Sequence, residues 1–294
     1  MSHNRNNHAR YLSKERIRRK RRQKRRKQLF KILQLSLMIL VVSGLLLAFF
    51  GRNRIKDTLW NHNSADEEEI IENLTAEVSG TGNNKLNEIL AHQENYPIEL
   101  LELLNKNPET LEFVYNYPLK KDLEYSIDIS QELQSGEVPS FIQWDERWGY
   151  SYYGDSMMAI NGCGPTCLAM VASSILQDAK LNPKWMAEFS EENGYVSEKG
   201  TLWALMSQGA RKLGLESIEI PLDETRVLNN LEVGNLIICS MGPGDFTTEG
   251  HFIVLAGTKN GKLIVHDPNS RENSEKLWKF DDIKSQIKNI WVFR

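Results

Sequence analysis

The sequence is poor in cysteine, with only 3 in 294 residues. That excludes a small disulfide-stapled scaffold, and an odd number leaves at least one thiol unpaired. No Gly-x-x-x-x-Gly-Lys-Ser/Thr run is present, which excludes a phosphate-loop ATPase motor. No internal repeat is apparent, so a solenoid is not expected. Acidic residues are nearly missing from positions 1–31, where 14 Lys+Arg face a single acid, Glu15. Charge of either sign is missing from Ile32 to Gly51.

These last two absences belong together. The uncharged run ILQLSLMILVVSGLLLAFFG has 20 residues. As a helix it spans about 30 Å, the thickness of a bilayer's hydrocarbon core. The block RIRRKRRQKRRK precedes it, and positive residues stay on the cytoplasmic side. No small-x-small cleavage site follows the run, so a retained signal anchor is expected rather than a cleaved leader. The amino terminus is then cytoplasmic and the remainder extracytoplasmic, on a bacterial plasma membrane. That remainder carries 22 Lys+Arg against 38 Asp+Glu, and no nucleic-acid partner is expected. The expected partners are a peptide or protein substrate and the lipid bilayer, the latter through residues 32–51.

Beyond the run, residues 52–82 are polar and acidic and read as a solvated stalk. Helical signals follow in 83–137. KLNEILAHQ and PIELLELLNK carry apolar residues at helical spacing, and in NPETLEFVYNY Asn107 can cap a helix whose first position is Pro108. These short helices either pack on the region downstream of them or form a small independent binding unit. From Val138 the texture changes to aromatics and glycines, FIQWDERWGYSYYG. A turn-to-helix stretch GCGPTCLAMVASSILQ comes next, then helices expected from Asn182 and from about Gly200. The runs LESIEI, NLIICSM, HFIVLAG, KLIVHD and IWVF read as strands. Helices first and strands later argue an α+β fold with a mainly antiparallel sheet.

Chemistry concentrates in this last region. Cys163 sits in N-G-C-G-P-T, with a helix starting at it. A helix amino terminus favours the thiolate and can pull a cysteine pKa from about 8.5 toward roughly 3.5–7.5. Cys167 and Cys239 lie in apolar runs and read as inert. Cys163 and Cys167 resemble half of a zinc site but lack a second ligand pair. A thiolate nucleophile needs a base held by a third group. His251, opening the strand G-H-F-I-V-L-A-G, and His266, in V-H-D-P-N, are the candidates for the base. Asp267 can reach His251 if the two strands form a hairpin, and Asn269 is the alternative orienter. The N–H of Cys163 and the side chain of Gln143 are candidate oxyanion donors. Trp144, Trp148, Tyr152 and Tyr153 are either packing residues or the lining of a binding cleft.

Taken in order, F-I-Q-W-D-E-R-W-G, N-G-C-G-P-T-C-L-A-M, G-H-F-I-V-L-A-G and V-H-D-P-N-S resemble the papain-like peptidases of the bacteriocin-processing family, in its stand-alone branch without a transporter. The resemblance covers about residues 138–294. It implies a papain-like cysteine peptidase fold, with the nucleophile on a helix packed against the sheet. It implies Cys163 as nucleophile, His251 as base, Asp267 as orienter and Gln143 in the oxyanion hole. The stretch between Gln143 and Cys163 is longer here than in the processing enzymes. No metal or cofactor is required by such a triad. Hydrolysis of peptide bonds is the expected activity. A cell-wall peptide amidase, a non-catalytic peptide-binding module and a structural envelope protein are the alternatives.

Overall fold

The computed structural model describes residues 66–197 and 200–294. The basic tail 1–31, the apolar run 32–51 and the first part of the expected stalk lie outside the described residues. Among the described residues, no helix is long and apolar enough to cross a membrane. The chain divides into two compact units, Met1–Glu69 and Ile70–Arg294. The second unit holds the sheet and the residues of the site.

The end of the expected stalk is not an irregular solvated chain. It is helix α1 (66–81), because Ile70 and Leu74, four residues apart, fall on one face and are buried. Then come α2 (Asn84–Ala91), α3 (Ile98–Lys106) and α4 (Leu111–Lys120). The side chain of Asn83 caps α2 by accepting from the N–H groups of Lys85 and Leu86. Asn107 caps a 3₁₀ turn, Pro108–Thr110, that leads into α4. The apolar stripes of these helices, among them Leu86, Ile89, Leu100, Leu104 and Phe113, form one cluster with Ile142, Trp144, Tyr150 and Met157. The helical segment therefore packs on the loop that precedes Cys163 and does not stand apart as an independent unit. Burying a leucine or isoleucine contributes about 1.5–3 kcal/mol.

A short helix α5 (Ser130–Gln134), a hairpin of β1 (Tyr152–Tyr153) and β2 (Ser156–Met157), and one turn of helix α6 (Met158–Asn161) lead to α7 (Cys163–Leu176). Every residue from Gly164 to Ser173 of α7 is buried, as the near absence of charge in that stretch requires. Next comes α8 (Pro183–Glu192), capped by Asn182 with proline at its first position. A small hairpin, β3 (Val196–Ser197) and β4 (Gly200–Thr201), occupies the start of the helix expected from Gly200. Helical structure begins only at a π-turn, Leu205–Gly209, which runs into α9 (Ala210–Lys212).

The remaining elements are β5 (Ser217–Glu219), α10 (Glu224–Glu232), β6 (Leu236–Met241), β7 (His251–Lys259), β8 (Lys262–His266), α11 (Arg271–Glu275), β9 (Leu277–Trp278), α12 (Phe280–Ile283) and β10 (Ile287–Phe293). The 6-stranded sheet has the order β5-β10-β6-β7-β8-β9, and every neighbouring pair is antiparallel. Alternation along β6 sends Leu236 and Ile238 to the face covered by α7 and α8. Ile237, Cys239 and Met241 go to the opposite face, with Val227 of α10 and Phe280 and Ile283 of α12. Helices cover both faces of an antiparallel sheet in the α+β, papain-like arrangement expected from the sequence.

Candidate active site

Cys163 is the first residue of α7, and its N-cap, Gly162, provides no side-chain cap. The first N–H groups of the helix are thus left to the site, where they favour an anion. The flanking glycines are dictated by space. Gly162 has φ −82°, a conformation open to any residue, but a Cβ there would lie 2.4 Å from the Met158 carbonyl oxygen. A Cβ on Gly164 would lie 2.4–2.6 Å from the side chain of Thr201. Only a residue without a side chain lets β4 close against the nucleophile's turn. Thr201 is held there by the Tyr153 hydroxyl at 3.0 Å, which also meets the Ser190 hydroxyl at 2.8 Å.

His251 starts β7, opposite Met241 of β6. The hairpin that brings it an orienter is set by Asn260 and Gly261, with φ 55° and 71°. Both positive angles suit a two-residue turn whose twist matches the strands. Lys259 and Lys262 pair across it, and an irregularity between Leu255 and Gly257 shifts the register so that Val254 pairs with His266. Asp267 comes next in the chain. Its carboxylate lies 2.7 Å from His251 Nε2. With Nε2 committed to Asp267, Nδ1 is the ring nitrogen left for the thiol. Cys163 lies against the ring, close enough that both its hydrogen bond and its charge act on the imidazole.

The electrostatics follow from burial. His251 is 7% exposed and Asp267 1%. Burial pushes the imidazole pKa down. The charge of Asp267 and its hydrogen bond, followed by the contributions of Cys163, outweigh burial and lift it to about 10. Asp267 is itself surrounded by donors. Oδ1 also accepts from the Asn269 N–H at 2.9 Å, and Oδ2 accepts from Asn273 Nδ2 at 2.9 Å. Asn269, the alternative orienter, thus serves through its main chain on Asp267.

The other sequence candidates fall apart from this line. His266 Nδ1 lies 3.2 Å from the Pro139 carbonyl oxygen, and burial lowers its pKa. Cys167 and Cys239 are fully buried, and burial pushes both thiols well up. Gln143 is buried between the turn at Pro268 and the segment that precedes Cys163. Its main-chain N–H donates to Pro268 O at 2.7 Å, and its Nε2 donates to Ala159 O at 2.8 Å and Ile160 O at 3.3 Å. Its Oε1 is buried without a hydrogen-bond partner. Trp144, Trp148 and Tyr153 are core residues, and of the four aromatics only Tyr152 is exposed. They therefore do not line an aromatic cleft. The residues missed from sequence are Asn273, six residues beyond Asp267, and Asn107 and Glu109, whose contacts with the turn after Asp267 are made across about 160 residues of chain and leave no local pattern.

No curated protein matches the chain. Among solved structures, it is similar to the peptidase domain of Streptococcus ComA, a bi-functional ABC transporter involved in a quorum sensing pathway. The two share 24% identity at a TM-score of 0.36, over 45% of this chain and 90% of that one. It is also similar to a C39-like peptidase from Bacillus anthracis, with 15% identity at a TM-score of 0.32, over 58% of this chain and 98% of that one. Residues 136–293 match the family model of the Peptidase_C39 like family. That segment is more than half of the 294 residues and holds Cys163, His251 and Asp267, and the chain belongs to that family of papain-like cysteine peptidases.

Proposed function

We propose that this chain is a membrane-anchored cysteine peptidase that hydrolyses peptide bonds on the extracytoplasmic side, through a triad of Cys163, His251 and Asp267. The observation that carries this reading is the buried pair of His251 and Asp267, 2.7 Å apart, with the partly exposed Cys163 near enough to the ring to act on it.

The raised imidazole pKa keeps His251 protonated at neutral pH, so that an imidazolium faces the Cys163 sulfur. The thiolate attacks the peptide carbonyl carbon, a C–S bond forms, and the carbonyl oxygen takes the negative charge. The N–H of Cys163 is one donor to that oxygen. Gln143 is the second, by turning the hydrogen now shared with Ile160 at 3.3 Å toward the substrate. Imidazolium then gives its proton to the leaving nitrogen as the C–N bond breaks, leaving a thioester. Neutral His251 takes a proton from water, hydroxide adds to the thioester, and the C–S bond breaks to release the carboxylate. Asp267 keeps the ring oriented throughout.

Anchoring through residues 32–51 rests on the uncharged run and the basic block before it. Cys163 is the partly exposed thiol and the other two are buried. A membrane-impermeant maleimide applied to intact cells should therefore label Cys163, and absence of labelling until the cells are lysed would overturn the topology. For the chemistry, Cys163→Ala and His251→Ala in the full chain should each reduce peptide hydrolysis roughly 10⁴-fold or more. A fully active Cys163→Ala protein would sink the mechanism.

A further inference from the structure

The turn that carries Asp267 is not held by the peptidase region alone. Its residue Asn269 donates its N–H to Asp267 Oδ1 at 2.9 Å. The carbonyl of the same residue accepts from Asn107 Nδ2 at 2.7 Å and from Trp144 Nε1 at 3.1 Å. One residue further on, Ser270 donates its hydroxyl to Glu109 at 2.7 Å. The Glu109 carboxylate also accepts the N–H of Arg271 at 2.9 Å and that of Glu272 at 3.4 Å. These bonds join positions about 160 apart in sequence. Both Asn107 and Glu109 lie in the helical segment, outside the matched residues 136–293.

The alignment is directional. Asn107 and Glu109 share the 3₁₀ turn between α3 and α4, and that turn packs with the cluster that contains Trp144. The Arg271 guanidinium lies 4.4 Å over the Trp144 ring, closing the contact from the other side. A rigid helical body is thus clamped to consecutive residues of the loop from which Asp267 projects. Asp267 in turn holds the imidazole of His251.

We propose that Asn107 and Glu109 are positioning residues of the active site, acting through the 269–272 turn on Asp267 and thence on His251. The inference rests on the triad reading above, and makes the helical segment part of the catalytic apparatus. The charged groups facing His251 are Asp267 and Cys163. A displaced Asp267 therefore weakens the imidazolium and, with it, the thiolate.

The test is the pH dependence of Cys163 alkylation by iodoacetamide in the full chain, beside His251→Ala, with thermal melts for each variant. Glu109→Ala should slow alkylation about tenfold at pH 6, the scale of one hydrogen bond to a charged group, while leaving the rate at pH 10 unchanged. Glu109→Gln keeps an acceptor oxygen for Ser270 and should recover most of the loss. Should Glu109→Ala unfold, Asn107→Asp carries the test. It preserves the acceptor that caps the 3₁₀ turn, removes the donor to Asn269 and sets a carboxylate oxygen against that carbonyl. Profiles that superimpose on wild type, or losses equal at both pH values, overturn the positioning role. If wild type and His251→Ala coincide instead, the triad reading itself fails and the positioning role falls with it.

Discussion

A histidine as buried as His251 would ordinarily shed its proton, since burial penalises the charged ring. Asp267 reverses that balance, and the direction of the shift has a consequence for pH. The folded imidazole is raised above its ordinary value, so its contribution to stability is complete below about pH 6.5 and is lost as pH rises through about 10. The gap in urea midpoint between wild type and Asp267→Asn should close over that window. The alkaline limb of kcat/KM should also fall by about one unit or more in Asp267→Asn, because one neighbouring opposite charge has been removed. Limbs that coincide would mean that the carboxylate does not stabilise the imidazolium. Gln143 separates two roles at the same scale. As an oxyanion donor, its replacement by alanine should lower kcat about 100-fold and leave alkylation of Cys163 unchanged. If it only braces Ala159 and Pro268, the melting temperature and the alkylation rate should change together.

At the scale of elements, the site is the meeting of a helix start, a strand start and a hairpin end. The close packing of α7 against β4 makes Gly164 the tightest of these joints. Gly164→Ala should cost about 1–3 kcal/mol by overpacking, and Thr201→Gly should restore most of it, as read by chemical denaturation. A destabilisation that persists in the double variant would place the cause elsewhere than in Thr201. Much of this scale is legible in sequence. The five strand runs carry branched apolar residues between glycine, asparagine and proline. Asn182-Pro183 and Asn107-Pro108 announce the helix starts that they cap. The misses have physical reasons. Residues 66–81 are dominated by acids and small polar residues, and their helical signal is confined to Ile70, Leu74 and the partly buried Ile71 and Val78. The stretch after Gly200 is apolar at helical spacing, yet tertiary contact of Thr201 with Gly164 draws its first residues into a strand.

For the whole molecule, the candidate thiol, imidazole and carboxylate were readable in their order because each sits at an element end, where backbone groups are free to meet it. The brace on the Asp267 turn was not readable. Asn107 and Glu109 look like ordinary capping residues until the fold sets them beside Asn269 and Ser270. The helical segment is legible as helices, and packing on the region downstream was one of its two expected fates, but the loop 141–159 that it meets was not. Its buried cluster gives a direct test. Leu100→Ala or Ile89→Ala should destabilise the full chain by about 2–5 kcal/mol, in a single unfolding transition shared with the peptidase region. A separate early transition would show that the segment unfolds by itself.

The position of β10 bears on when the sheet is completed. It is the last strand in the sequence, yet it lies inside the sheet, between β5 and β6. A chain emerging from the ribosome has Cys163, His251 and Asp267 before it has this strand. Until then β6 has an open edge where β10 will lie, and non-local pairings of this kind form late. Closure of the core behind β6 therefore waits on β10, and Cys163, His251 and Asp267 all precede in the chain the strand that completes their sheet.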